Sequence, residues 1–224
     1  MLFIFDMDDV LYGYDWRHRM AAMTELTGLD LSQLRERWWN DEGEWAAEAG
    51  VYSTAEDYLD ALRAALGVHL DEADWVRARG AAMTPWRDSL AAAERASRYG
   101  TITLLTNNGA LTSKHLQTLA PDLLPVFGGD HMFTSSDYGA RKPDPTVFRR
   151  VLDRYGADAS DTFFADDMAQ NVAGAESIGI TGHVFRSPAG LLDAIEAFAA
   201  EHGVSGVPHG DGTAMPPRRT LRRG

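Results

Sequence analysis

Four short stretches of this chain carry residue types that could do chemistry together. Asp6-Met7-Asp8-Asp9 places three carboxylates within four residues. Thr106-Asn107 offers a hydroxyl and an amide, and Lys142 in Arg141-Lys142-Pro143-Asp144-Pro145 offers an amine. Asp166-Asp167 is a second acidic pair. Carboxylate oxygens without histidine or sulfur form a hard donor set suited to Mg²⁺. A carboxylate is also a nucleophile that can form an acyl phosphate with a phosphoryl group. It reaches a dianionic phosphate only if charge repulsion is cancelled, which a metal ion and a lysine do. A hydroxyl and amide hydrogens hold the phosphoryl oxygens in line. A second acid two residues on can protonate the leaving alkoxide and later deprotonate water. Together the set has the parts for phosphate-ester hydrolysis. Singly, each stretch has a plainer reading: a solvated acidic loop, a turn, a surface lysine.

The elements that must position these residues decide between the readings. Leu2 to Phe5 is a short, wholly apolar run, the pattern of a strand buried on both faces of a parallel sheet. It ends in the first acidic stretch. Thr101 to Leu105 reads as a strand ending in Thr106-Asn107, and Thr162 to Ala165 as one ending in Asp166-Asp167. Further strands are expected at His131 to Thr134 and Ile180 to Phe185. Helices are expected at 86–98, at 111–119, after Asp144-Pro145, through Val172 and Ala175, and after Ser187-Pro188. This alternation predicts an α/β fold, a doubly wound parallel sheet with helices on both faces. All the strand-end residues then face one edge, where ligands bind in such sheets.

Residues 14–83 break the alternation. Five of the six tryptophans fall there, and helical starts follow Asp15, Ser32, Thr54 and Asp71, with no strand pattern between them. The expected organisation is a core domain of 1–13 and 84–202, a small helical cap of 14–83 with its own core, and a disordered tail of 203–224. The tail is rich in Gly and Pro and carries four arginines. A net charge of −12 argues against non-specific binding to nucleic acid or anionic membrane. There is no cysteine, hence no disulfide or thiolate chemistry, and the scattered histidines show no metal-ligand spacing. No apolar run reaches the length of a membrane span and no secretory signal is evident, so a cytoplasmic monomer or homodimer is expected.

These four stretches, in this order, resemble the motifs of the haloacid dehalogenase superfamily, in particular its phosphatase branch with a helical cap inserted after the first motif. Asp6-Met7-Asp8 matches the Asp-x-Asp motif, Thr106 the strand-end Ser/Thr, Lys142 the lysine, and Asp166-Asp167 the acidic pair. The resemblance covers residues 1 to about 200. It implies a Rossmann-like core, with Asp6 as nucleophile and Asp8 as acid/base. It implies Mg²⁺ bound by Asp6, the Asp8 backbone carbonyl and Asp167, with Asp166 helping directly, through water or through Lys142. Thr106, Asn107 and Lys142 would bind the phosphoryl group. One position departs: Asp9 stands where the family often has glycine, and is expected to be a loop residue turned to solvent.

The rival readings are a dehalogenase of the same superfamily and a receiver-type phospho-acceptor domain. A halide leaves without a proton, so a dehalogenase has no need of Asp8; a receiver has no helical insert and about half this length. The substrate expected is a small phosphorylated metabolite. Trp38 to Trp45, a mixture of flat apolar faces and hydrogen-bonding groups, favours a sugar phosphate if those tryptophans face the substrate rather than fill the cap core.

Overall fold

The computed structural model describes residues 1–204, so the expected tail lies outside the described residues from position 205 onward. In chain order the elements are β1 (Leu2–Phe5), β2 (Tyr12–Tyr14), α1 (Trp16–Thr27), α2 (Leu31–Arg37), α3 (Glu44–Glu48), α4 (Ala55–Leu66), α5 (Glu72–Ala81) and β3 (Met83–Pro85). Then follow α6 (Arg87–Ala96), β4 (Thr101–Thr106), α7 (Ala110–Leu119), α8 (Leu124–Phe127), β5 (Met132–Thr134) and α9 (Pro145–Tyr155). The last are β6 (Thr162–Asp166), α10 (Ala169–Glu176), β7 (Thr181–Val184) and α11 (Pro188–Glu201).

Five strands form one parallel sheet in the order β5-β4-β1-β6-β7. The central place of β1 explains its four consecutive apolar residues. Phe3 and Phe5 pack with Leu90 and Ala93 of α6 and with Leu191, Ile195 and Phe198 of α11. Leu2 and Ile4 point the other way, to Val147, Phe148 and Val151 of α9 and Val172 of α10. Side chains alternate across a strand, so a strand covered on both faces must be apolar throughout. The chain is therefore the doubly wound α/β fold that the strand–helix alternation predicts.

Between β1 and α6 stands the helical insert. Thr54 caps α4 by accepting from the Asp57 amide, and Gly67 ends it in the left-handed region at φ 72°. Two expectations need correcting. The cap of α2 is Asp30, in a reciprocal box with Gln33; Ser32 lies inside the helix. The segment is also bounded by strands: β2 and β3 pair antiparallel, Tyr12 with Pro85 and Tyr14 with Met83. Three-residue strands carry too little alternation to register in a sequence. The insert's core, built on Met20, Met23, Leu34, Trp38, Tyr58, Leu62 and Trp75, takes in Leu111 and Leu119 of α7 and so is not closed on itself. Gly109 permits this contact, because a Cβ there would meet the Tyr58 ring at 2.9 Å. Among the described residues no helix is long and apolar enough to cross a membrane.

Candidate active site

Strand register gathers the chemistry. Phe5 pairs with Ala165 and with Leu104, so Asp6 leaves β1 level with Asp166 at the end of β6 and one residue short of Thr106 at the end of β4. Lys142 reaches the same edge from the loop after β5. Its Nζ lies 2.8 Å from Asp6 Oδ1 and 2.6 Å from Asp166 Oδ2, and the side chain is 1% exposed. Burial works against the ammonium, but Asp166 and Asp6 outweigh it and raise its pKa. Asp6 is pushed well above the usual carboxylate range by burial; Lys142 opposes this and Asp166 adds to it. Burial, then Asp166 and Asp9, raise Asp167 to about 6.

Neighbouring side chains fix this group. Asn107 clasps the Lys142 backbone: its Nδ2 donates to the Lys142 carbonyl and its Oδ1 accepts from the Lys142 amide, both at 2.9 Å. The Asn107 side chain is thus engaged in holding the lysine loop. Asp166 accepts from the Met168 amide at 2.8 Å and from Asn171 Nδ2 at 3.0 and 3.1 Å. Thr106 is buried, and its Oγ1 accepts from Asn108 Nδ2 at 2.8 Å, which leaves the hydroxyl hydrogen free to donate. One oxygen each of Asp6, Asp166 and Asp167 lie within 4.8 Å of one another.

Asp8 points toward the insert. Its Oδ2 accepts from Arg79 Nη2 at 2.7 Å, while Oδ1 is buried without a partner among the described residues. Asp9 has φ 58°, a left-handed conformation that glycine adopts with less strain. Its carboxylate does not turn to solvent: Oδ1 accepts from the Tyr14 amide at 3.0 Å, which tethers the loop to β2.

Two cavities meet at this edge. The smaller, about 220 Å³, is lined by Asp6, Thr106, Lys142 and Asp167 among others. The larger, about 380 Å³, shares Asp8 and Asn107 with it and lies under Trp16, Trp39, Trp45 and Trp75 of the insert. The tryptophan stretch therefore divides. Trp38 is buried in the insert core, with Nε1 donating to Glu44 at 2.5 Å, whereas Trp39 and Trp45 line the cavity. The polar groups of that stretch are engaged within the insert. Glu44 also accepts from Tyr58 OH at 2.6 Å, and Asn40 bonds backbone groups at Glu36, Glu42 and Gly43.

Sequence reasoning missed Arg79, Asn171, Arg141 and Arg19. Arg79 lies 71 positions from its partner Asp8, and no local pattern links them. Arg141 pairs with Glu48 of α3 at 2.6 Å and so ties the lysine loop to the insert. Asn171 had one available signal, its place one turn into the helix after the acidic pair.

A parallel sheet with acid, hydroxyl and lysine at one edge and a helical insert after its first strand defines a class of hydrolases. The chain belongs to the haloacid dehalogenase-like hydrolases: that family's model matches residues 1–179. It is 29% identical over 189 residues to Phosphatase MT3486 of Mycobacterium tuberculosis, a match covering 81% of this chain and 85% of the relative. Its fold is similar to that of the HAD family enzyme bt-2542 from Bacteroides thetaiotaomicron, solved with magnesium and inorganic phosphate. The TM-score is 0.68 at 19% identity, over 83% of this chain and 93% of that one. It is also similar to a 2-haloacid dehalogenase from Pseudomonas syringae pv. Tomato, with TM-score 0.58 and 22% identity, over 81% and 84%.

Proposed function

We propose that the protein is a Mg²⁺-dependent phosphomonoesterase for small phosphorylated metabolites, working through an aspartyl phosphate on Asp6. The observation that carries this reading is the buried Lys142 bridging Asp6 and Asp166 beside Asp167, with Asp8 two residues on. The donor set fits the metal: the acids are all oxygen ligands, and three carboxylates around one lysine leave negative charge to be neutralised. Asp6, the Asp8 carbonyl and Asp167 would hold it. Asp166, whose oxygens already accept from Lys142, Asn171 and Met168, would act through Lys142 or a water. When bound, Mg²⁺ neutralises phosphoryl charge.

The residues divide the work. Lys142 holds Asp6 Oδ1, which leaves Oδ2 to attack phosphorus. The alcohol oxygen departs with a proton from Asp8, and Oδ1, which has no partner, is the atom available to carry it. Thr106 donates its hydroxyl to a phosphoryl oxygen, and Lys142 balances the charge. Water then attacks the phosphorus of the aspartyl phosphate and gives its proton to Asp8. Inorganic phosphate leaves and Asp6 is restored.

The helical insert, residues 14–83, acts in this proposal as a cap that roofs the leaving-group cavity. For a sugar ring that cavity offers the flat faces of Trp39 and Trp45, but the polar groups of the same stretch are engaged elsewhere. The test is phosphate release from a panel of phosphorylated metabolites with and without Mg²⁺, using the wild-type protein and Asp6→Asn. The expected result is Mg²⁺-dependent release that the nearly isosteric Asn abolishes without loss of fold. Turnover retained in folded Asp6→Asn sinks the covalent step. Halide release from 2-chloropropionate, with no phosphate release, sinks the phosphatase reading.

A further inference from the structure

The larger cavity holds one guanidinium with no carboxylate beside it and several buried hydrogen-bond donors without partners among the described residues. Arg19 of α1 lines it and is only 2% exposed. Among the described residues its guanidinium makes one hydrogen bond, from Nη1 to the Trp75 carbonyl at 3.0 Å, and lies over the Trp75 ring, 4.7 Å from the centroid. Among the described residues no carboxylate comes within 4.0 Å of it. Burial lowers its pKa, Arg79 adds to this, and Tyr14, Tyr58 and Glu44 only partly oppose it. Arg79 lines the same cavity; its Nη2 is paired with Asp8, but among the described residues its Nη1 is buried without a partner, as is the indole nitrogen of Trp75. The cavity's glutamates do not answer these donors. Glu44 is held by Trp38 and Tyr58, and Glu48 by Arg141. A buried guanidinium without a counter-ion is costly to keep, and carboxylate or phosphate is the group that its fork of donors matches.

We infer that the alcohol half of the substrate carries a second anionic group, a carboxylate or a phosphate, bound in this cavity by Arg19 and Arg79 against the aromatic faces of Trp39 and Trp75. The inference rests on the phosphatase reading, since it assigns the leaving group of that reaction. It moves the expected substrate from a neutral polyol to a doubly anionic metabolite with an apolar or flat body. The anion would sit in the larger cavity, and the reacting phosphoryl group beside Lys142 and Thr106 in the smaller one.

The test compares esters matched in shape: 3-carboxybenzyl phosphate, its 3-carboxamide, and the bis-phosphate of 1,3-benzenedimethanol. The corresponding phosphonates measure binding by calorimetry without turnover. Wild-type protein should prefer an anionic member over the carboxamide by at least about tenfold, both in kcat/KM and in phosphonate Kd, since a charge-assisted pair is stronger than a neutral one. Whichever anion is preferred, carboxylate or phosphate, identifies the source. The preference ratio should collapse toward one in Arg19→Gln and be partly kept in Arg19→Lys. No preference for either anion in wild-type phosphonate binding overturns the inference, whether or not Arg19→Gln folds. So does an undiminished ratio in a folded Arg19→Gln. No phosphate release from any ester, with the anion preference in phosphonate binding intact, would count against the phosphatase reading and leave the anion site standing.

Discussion

Replacing Lys142 by methionine should destabilise the protein more than a surface lysine would. The amine is 1% exposed and touches two carboxylates, Asp166 at 0% and Asp6 at 9% side-chain exposure. Methionine fills most of the volume but leaves two buried acids without their shared cation. Removing one partner of a buried pair costs about 3–5 kcal/mol. For a chain of this size each kcal/mol moves the melting temperature by about 2–4 °C, so the fall should be about 6–20 °C. Thermal unfolding followed by circular dichroism at pH 7.5, with EDTA and then with Mg²⁺, measures it. Two further outcomes are specific to the charge argument. Mg²⁺ should recover part of the loss, and Lys142→Met with Asp166→Asn should be more stable than Lys142→Met alone, because one fewer buried charge remains. A Lys142→Met melting temperature within about 2 °C of wild type in EDTA would refute the reasoning, since it corresponds to at most about 1 kcal/mol.

Three other outcomes are expected. Millimolar Mg²⁺ should raise the wild-type melting temperature, because in the proposed site it would bind only the folded arrangement of Asp6, the Asp8 carbonyl and Asp167; Asp167→Asn should cut that rise by more than half, and an equal rise in both proteins would remove Asp167 from the site. Glu48 has its pKa pushed from 4.5 up to about 7 by burial, against the pull of Arg141. Between those values the folded state binds more protons than the unfolded state, so stability falls as pH rises through the window, by about 3 kcal/mol from this group. Glu48→Gln should flatten that part of the stability–pH curve, and urea unfolding at pH 4.5 and 7.5 would show whether the slope is unchanged instead. Gly109→Ala drives a methyl group into the Tyr58 ring, which Glu44 holds in place, and should cost about 1–3 kcal/mol; a variant as stable as wild type in urea would mean that the insert yields freely over α7.

Much of the site was legible in the chain because its residues follow strands directly. Asp6, Thr106 and Asp166 each occupy or follow the last position of a buried apolar run, and parallel pairing brings such positions to one edge. Lys142 was legible from its neighbours in the sequence, though its contacts were not. The helical character of the insert was legible from caps and composition, and Thr54 and Gly67 bound α4 as their types demand.

Local sequence determined most of the elements, though not the short strands β2 and β3, and the order of the strand ends and the residue types gathered there, because burial pattern and capping act over a few residues. It could not determine which polar groups would be left unsatisfied. That Glu44 is taken by Trp38 and Tyr58, that Asn107 clasps the Lys142 backbone, and that Arg79 meets Asp8 are contacts across 6 to 71 positions. Only the packed structure decides them, because a side chain's hydrogen bonds depend on what the fold brings within about 3 Å of it. Trp38 and Trp39 are neighbours in the chain, yet one fills the insert core and the other lines the cavity. The gathering of positive charge beside the larger cavity is also a tertiary product. In a chain of net charge −12, the fold buries Arg19 and Arg79 beside one cavity, where Asp8 pairs with Arg79 while Glu44 and Glu48 are held by other partners.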